Sequence, residues 1–205
     1  MQRFFVPGLL VSVLVGCGGG GGSATTPTTN TDTTSTNALA KYVGSYASEC
    51  TLASTHRKDF TTITQNSDGT LSIAVQEVYY DGAKCTGSVV GTATVAPLIA
   101  AYQSTSTEVV TGISGPIFLD KISVAMPSST TNFGGTNVVG PITYSFGGTN
   151  NVGYCVTYQN GRTCYENLTR TATTYNGGLH LDGTKLYTLI IGGVGYKVDA
   201  VTNRV

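Results

Sequence analysis

The apolar residues of this chain recur at every second position, and nowhere over a long stretch at every third or fourth. Leu71, Ile73 and Val75 alternate with Ser72, Ala74 and Gln76. Val89, Gly91, Ala93 and Val95 alternate with Val90, Thr92 and Thr94, and Ile122, Val124 and Met126 with Lys121, Ser123 and Ala125. Tyr196, Val198 and Ala200 alternate with Lys197, Asp199 and Val201. A period of two puts each set on one face of a pleated strand. Turn signals separate these runs: Asn66-Ser67-Asp68-Gly69, Asp81-Gly82, Asn160-Gly161 and Gly192-Gly193-Val194-Gly195. Thr outnumbers even Gly and Tyr is plentiful, and both residues suit half-buried strand positions. The fold class predicted is all-β.

Further strands are predicted over Tyr42–Leu52, Lys58–Gln65, Glu108–Ile113, Leu168–Tyr175 and Lys185–Ile191. Pro97 to Tyr102 reads as one helical turn with proline at its first position. Phe133-Gly134-Gly135-Thr136-Asn137 recurs as Phe146-Gly147-Gly148-Thr149-Asn150, and two copies imply two similar turns rather than a solenoid. Tyr154–Tyr165 reads as a hairpin with a four-residue loop, Tyr158 to Gly161. About eight to ten strands in near-meander order predict a single antiparallel sheet closing into a barrel, because closure removes exposed edges. A β-sandwich is the alternative.

The amino-terminal segment predicts where the chain goes. Arg3 and the free terminus form a small positive region, followed by an apolar run from Phe4 to Val15. That run suits a secretory signal and is too short to span a bilayer as a helix. Leu14-Val15-Gly16-Cys17 resembles the lipobox of bacterial lipoproteins. The resemblance implies that residues 1–16 are a signal peptide removed before Cys17, and that the Cys17 sulfur carries a diacylglyceryl thioether. Each buried methylene contributes about 0.8 kcal/mol, so two or three chains anchor stably. Gly18, not Asp, follows the cysteine, which in Gram-negative members of the family implies the outer membrane. Residues 17–38 are then a lipidated cysteine plus a Gly- and Thr-rich tether with no apolar period. Twenty flexible residues have an r.m.s. reach of ~25 Å. The folded domain is predicted over 39–205.

Only 11% of residues are charged and the formal net charge is zero. Phosphate neutralisation needs clustered Lys and Arg, so nucleic acid is excluded as a partner class. Of five Cys, lipidation takes Cys17 and leaves Cys50, Cys85, Cys155 and Cys164. An even remainder in an exported chain reads as two disulfides. The local pairing, Cys50–Cys85 with Cys155–Cys164, keeps each bridge inside one supersecondary unit. Such loops stabilise by roughly 2.5–4 kcal/mol each in the chain-entropy model. A zinc site lacks the C-x-x-C spacing and has only His56 and His180 to draw on.

No nucleophile elbow, P-loop, metalloprotease helix or dinucleotide fingerprint is present, so neither catalytic residues nor a cofactor are expected. His56 with Asp59 reads as a base and its orienter, or as a solvated loop histidine. His180 and Asp182 share a face if extended, or form a surface pair beside the Asp182-Gly183 turn. Glu77 interrupts the apolar face of its strand. A carboxylate there is a ligand contact or perturbed acid inside a barrel, or marks where the strand twists out to solvent.

Gly44-Ser45-Tyr46 resembles the Gly-x-Trp motif of lipocalins, with Tyr in the Trp place. The resemblance implies that Tyr46 plugs the closed end of a barrel and that Arg204 packs over it. It further implies a calyx for a small apolar ligand. Alternation puts Leu71, Ile73 and Val75 on one apolar face, and a meander that closes aims that face inward, so these are the possible ligand-lining residues. The chain departs from that family in having no Trp, no Thr-Asp-Tyr motif and no helix after its last strand. The expected function is therefore a non-enzymatic binding module of the cell envelope, held to the membrane by its lipid. The alternative is a structural or interaction module with a filled core, whose partner is another envelope protein.

Overall fold

The structure is a computed structural model that describes residues 38–50, 56–166, 169–193 and 195–205, with Phe146 as backbone only. Cys17, residues 1–16 and the tether up to residue 37 lie outside the described residues, as do Leu52 and Leu168. Among the described residues the chain is all-β, with short 3₁₀ turns at Ala40–Tyr42 and Ala83–Cys85.

Eight strands form a hydrogen-bonded ring. They are β1 (Gly44–Ala47), β2 (Arg57–Gln65), β3 (Leu71–Gly82), β5 (Leu98–Val109), β6 (Pro116–Met126), β13 (Thr173–Asp182), β14 (Lys185–Gly192) and β15 (Gly195–Arg204). Each pairs antiparallel with its predecessor in this order, and β15 returns to β1. The meander therefore closes first strand to last, and none of the eight is an edge. Two insertions interrupt it. The distal half of β3 also pairs with β4 (Thr86–Thr94), which pairs with β8 (Asn132–Gly134). Between β6 and β13 lie β7 (Ser129–Thr130), β9 (Val138–Phe146), β10 (Thr149–Tyr158), β11 (Gly161–Glu166) and β12 (Thr169–Arg170). Of these, β9, β10 and β11 form a three-stranded sheet.

Alternation fills the ring. Leu71, Ile73, Ile63, Ala100, Ile122, Val124, Leu179 and Leu186 make one buried cluster with Leu39, Tyr42 and Tyr46. Leu39 and Tyr42 precede β1, so the entering chain tucks into the end of the ring where β1 begins. Arg204 pairs with Tyr46 across β1 and β15. Its guanidinium carbon lies 5.6 Å from the centre of the Tyr46 ring, and it donates a hydrogen bond to the Val43 carbonyl. A second cluster, Tyr79, Val90, Ala93, Val156 and Tyr158, lies between the β3–β4–β8 wing and the β10–β11 hairpin.

Cys50 is bonded to Cys85 and Cys155 to Cys164. Three expectations are corrected. Pro97–Tyr102 is not a helical turn, because Leu98 onward is strand β5. Glu108–Ile113 is not a strand of its own, because β5 ends at Val109 and a turn with positive φ at Gly112 and Gly115 follows. The loop of the β10–β11 hairpin is two residues, not four, because Tyr158 pairs with Gly161. It is centred between Gln159 and Asn160, which puts Cys155 directly opposite Cys164.

Candidate functional site

The register of β2 on β3 builds the candidate site. Ile63 faces Ile73, Thr61 faces Val75, Asp59 faces Glu77 and Arg57 faces Tyr79. Directly opposed residues in an antiparallel pair share a face, and alternate pairs share the same face. The inner wall of the ring thus turns from apolar to charged one layer beyond Val75. This is the end away from Leu39 and Tyr42.

Arg57 holds the charged layer together. Its Nη1 lies 3.2 Å from Glu77 Oε1, and its Nε lies 3.1 Å from Asp59 Oδ1. Tyr79, fully buried, donates its hydroxyl hydrogen to Glu77 Oε2. Burial pushes the Glu77 carboxyl above its ordinary range, against the pull of Arg57 and the Tyr79 hydroxyl. Burial likewise raises Asp59, with Arg57 opposing. The Arg57 guanidinium is itself held above its ordinary value, since the two carboxylates outweigh burial.

Aromatic rings surround this layer. Tyr165 lies 5.1 Å from Tyr79 between ring centres, and its hydroxyl is 3.0 Å from that of Tyr158. Burial raises the Tyr79 and Tyr165 phenols well above their usual range. Phe133 stacks on Tyr154 at 4.9 Å. Tyr154 reaches that position because Gly140 carries no Cβ: one would stand 2.6 Å from Tyr154 Cδ1. Below the charges lie the half-buried Val75, Leu98 and Tyr175. The arrangement offers carboxylate acceptors and a fixed cation above an apolar floor.

The ligand-lining residues expected from sequence divide. Leu71 and Ile73 are buried in the core cluster, whereas Val75 is half-buried at the boundary with the charged layer. Glu77, an open reading in the sequence, stands on the inner wall with its side chain 18% exposed. His56 is not oriented by Asp59. Its Nδ1 lies 3.1 Å from the Tyr80 carbonyl and its ring stacks on Tyr158 at 4.2 Å. His180 bonds the Phe118 carbonyl and lies against Tyr187. Sequence reasoning missed Arg57, Tyr79 and Tyr165. The missed signal was register: a turn centred on Asp68 sets Asp59 against Glu77 and Arg57 against Tyr79.

The two copies of the glycine-rich repeat differ in setting. In the first, Phe133 joins the aromatic stack and Asn137 donates to the Thr157 carbonyl. In the second, Gly147 and Gly148 form an open hairpin tip with positive φ. Among the described residues no group of three or more His, Cys, Asp or Glu side chains is placed to hold a metal ion. The chain matches no protein-family model, no curated protein and no solved structure.

Proposed function

We propose that the chain is a lipid-anchored, extracytoplasmic binding module without catalytic activity. It takes a small ligand with an apolar body and a polar head at the charged end of the ring. The anchoring half of this reading rests on the signal-like run and lipobox ending at Cys17. In a Gram-negative cell Gly18 directs the mature protein to the outer membrane. The binding half rests on one observation: Arg57, Asp59 and Glu77 stand on the inner wall above Val75, at the end away from Leu39 and Tyr42. His56 is turned to the Tyr80 carbonyl and the Tyr158 ring, so the pair of base and orienter read from His56 and Asp59 is not assembled.

The test is titration with an amphipathic naphthalene probe. Wild type should show saturable fluorescence enhancement. The Val75→Trp variant should lose it while keeping the same far-ultraviolet spectrum and melting temperature. Absence of saturable binding by the wild type would overturn the ligand reading. The surface-interaction module would then stand, which the packed positions of Leu71 and Ile73 favour.

A further inference from the structure

The β5–β6 hairpin carries an exposed apolar face inside paired strand. Val109 is 77% exposed and Phe118 74%. They sit in alternate pairs that share one face, Val109 with Pro116 and Phe118 with Thr107. The other face of the same hairpin is buried: Val110 and Leu119 pack with Leu189, backed by Ile113, Ile117, Tyr187, Tyr196 and Val198. Two backbone hydrogen bonds fix the tip, from Thr111 N to the Tyr196 carbonyl at 3.0 Å and from Val198 N to the Thr111 carbonyl at 3.2 Å. The exposed face is therefore held by a packed wall and is not a loose tip. Large apolar side chains at such ordered positions mark a contact surface.

The position of this face identifies its partner. Asp120, two residues beyond Phe118 on the same face, bonds the Tyr42 hydroxyl at 2.7 Å and Lys41 Nζ at 2.7 Å. Residues 41 and 42 belong to the segment by which the chain enters the domain. Only about twenty residues of sequence separate that entry from Cys17, which limits how far the domain can stand from the lipid. A surface beside the tether's attachment meets the anchoring membrane at high effective concentration.

We infer that the Val109–Phe118 face of the hairpin seats in the headgroup–acyl boundary of the membrane that carries the Cys17 lipid. The inference rests on the anchoring reading above. An apolar contact next to the lipid supplies a second membrane signal and fixes which side of the domain faces the bilayer. The charged end of the ring is then turned away from the lipid.

The chain contains no Trp, so Phe118→Trp introduces a single reporter. The mature protein is purified from its membrane and reconstituted into phosphatidylethanolamine–phosphatidylglycerol vesicles with brominated acyl chains. The Phe118→Trp emission should shift to shorter wavelength and lose most of its intensity relative to unbrominated vesicles. Val152→Trp, at an exposed position on the three-stranded sheet, should keep its water-like emission. An unquenched Phe118→Trp signal, or equal quenching at both positions, overturns the inference while leaving the anchor in place. Mass spectrometry of the same sample reads the Cys17 modification. An unlipidated Cys17 overturns the anchoring reading, and this inference with it.

Discussion

Asp120 and Glu77 are both carboxylates on the inner wall, and their surroundings move them in opposite directions. Burial pushes Asp120 up, but hydrogen bonds from Lys41, Thr105 and Tyr42 outweigh it and hold the carboxyl below its ordinary range. Glu77 shares one guanidinium with Asp59, and burial wins. The two groups therefore make stability depend on pH with opposite sign. Asp120 contributes stability above the ordinary carboxylate range and loses it as pH falls through its depressed folded pKa. Glu77 contributes stability below the ordinary range and loses it as pH rises through its raised folded pKa. Denaturant titrations across pH should show the deficit of Asp120→Asn shrinking on acidification. Glu77→Gln should instead gain on wild type as pH rises toward neutrality. Parallel pH curves for wild type and both variants would refute the assignment. Tyr42→Phe tests the same network at one atom. The hydroxyl serves both Asp120 and the Leu179 carbonyl at 2.8 Å, so its loss should cost about 1–3 kcal/mol. A midpoint unchanged in urea would show that water replaces it.

Among the elements, the β5–β6 hairpin shows what the sequence reveals and what it conceals. The stretches Leu71 to Val75 of β3 and Ile122 to Met126 of β6 were legible because their inward positions are apolar and the residues between them are polar or small. In β5 the outward Ile99 and Ala101 are apolar too, and Pro97 stands just before the strand. Propensity and the missing alternation then read as a helical turn. Tertiary pairing decided otherwise, since Ile99 pairs with Ala125 and Ala100 with both Leu71 and Val124. The candidate site was half legible for a related reason. Glu77 stood out as one charge in an apolar alternation, but Arg57 and Tyr165 belong to other strands. Tyr165 reaches Tyr79 only through the insertion between β6 and β13, which no local pattern reports. The hairpin's distal half also depends on a residue in another strand. Leu119 packs over Gly178, where a Cβ would stand 2.5 Å from Leu119 Cδ1. Gly178→Ala should therefore destabilise by about 1–3 kcal/mol through overpacking. Adding Leu119→Ala should recover part of that loss, as residues in contact couple in a double-mutant cycle. Strictly additive effects in chemical denaturation would refute the contact.

At the scale of the whole molecule, closure of the ring depends on its shortest strand. Every ring pairing joins consecutive ring strands except the last, where β1 meets β15 through Tyr46–Arg204 and Ala47–Asn203. Pairing first strand with last carries the largest loop-closure cost of any contact in the chain. Something must hold β1 in place, and the residues before it do. Leu39 and Tyr42 are fully buried in the ring's core, and the Tyr46 hydroxyl donates to the Tyr42 carbonyl at 2.9 Å. Arg204 adds a hydrogen bond to Val43 from the far side. Cys50–Cys85 ties the chain after β1 to the turn that precedes β4. The folding unit is therefore expected to begin before Leu39, not at β1. A fragment of residues 38–205, refolded under oxidising conditions, should give a β-rich far-ultraviolet spectrum, no free thiol and one cooperative transition. A fragment of residues 44–205 lacks the burial of Leu39 and Tyr42, worth about 3–6 kcal/mol for the two side chains together. It also strips Asp120 of two hydrogen-bond donors. Against a total of roughly 5–15 kcal/mol for a domain, that loss is most of the margin. The shorter fragment should melt without a sharp transition, or at a midpoint far below that of the longer one. Equal melting of the two fragments would show that β1 and β15 hold the ring closed unaided, and that the entering segment is only a lid.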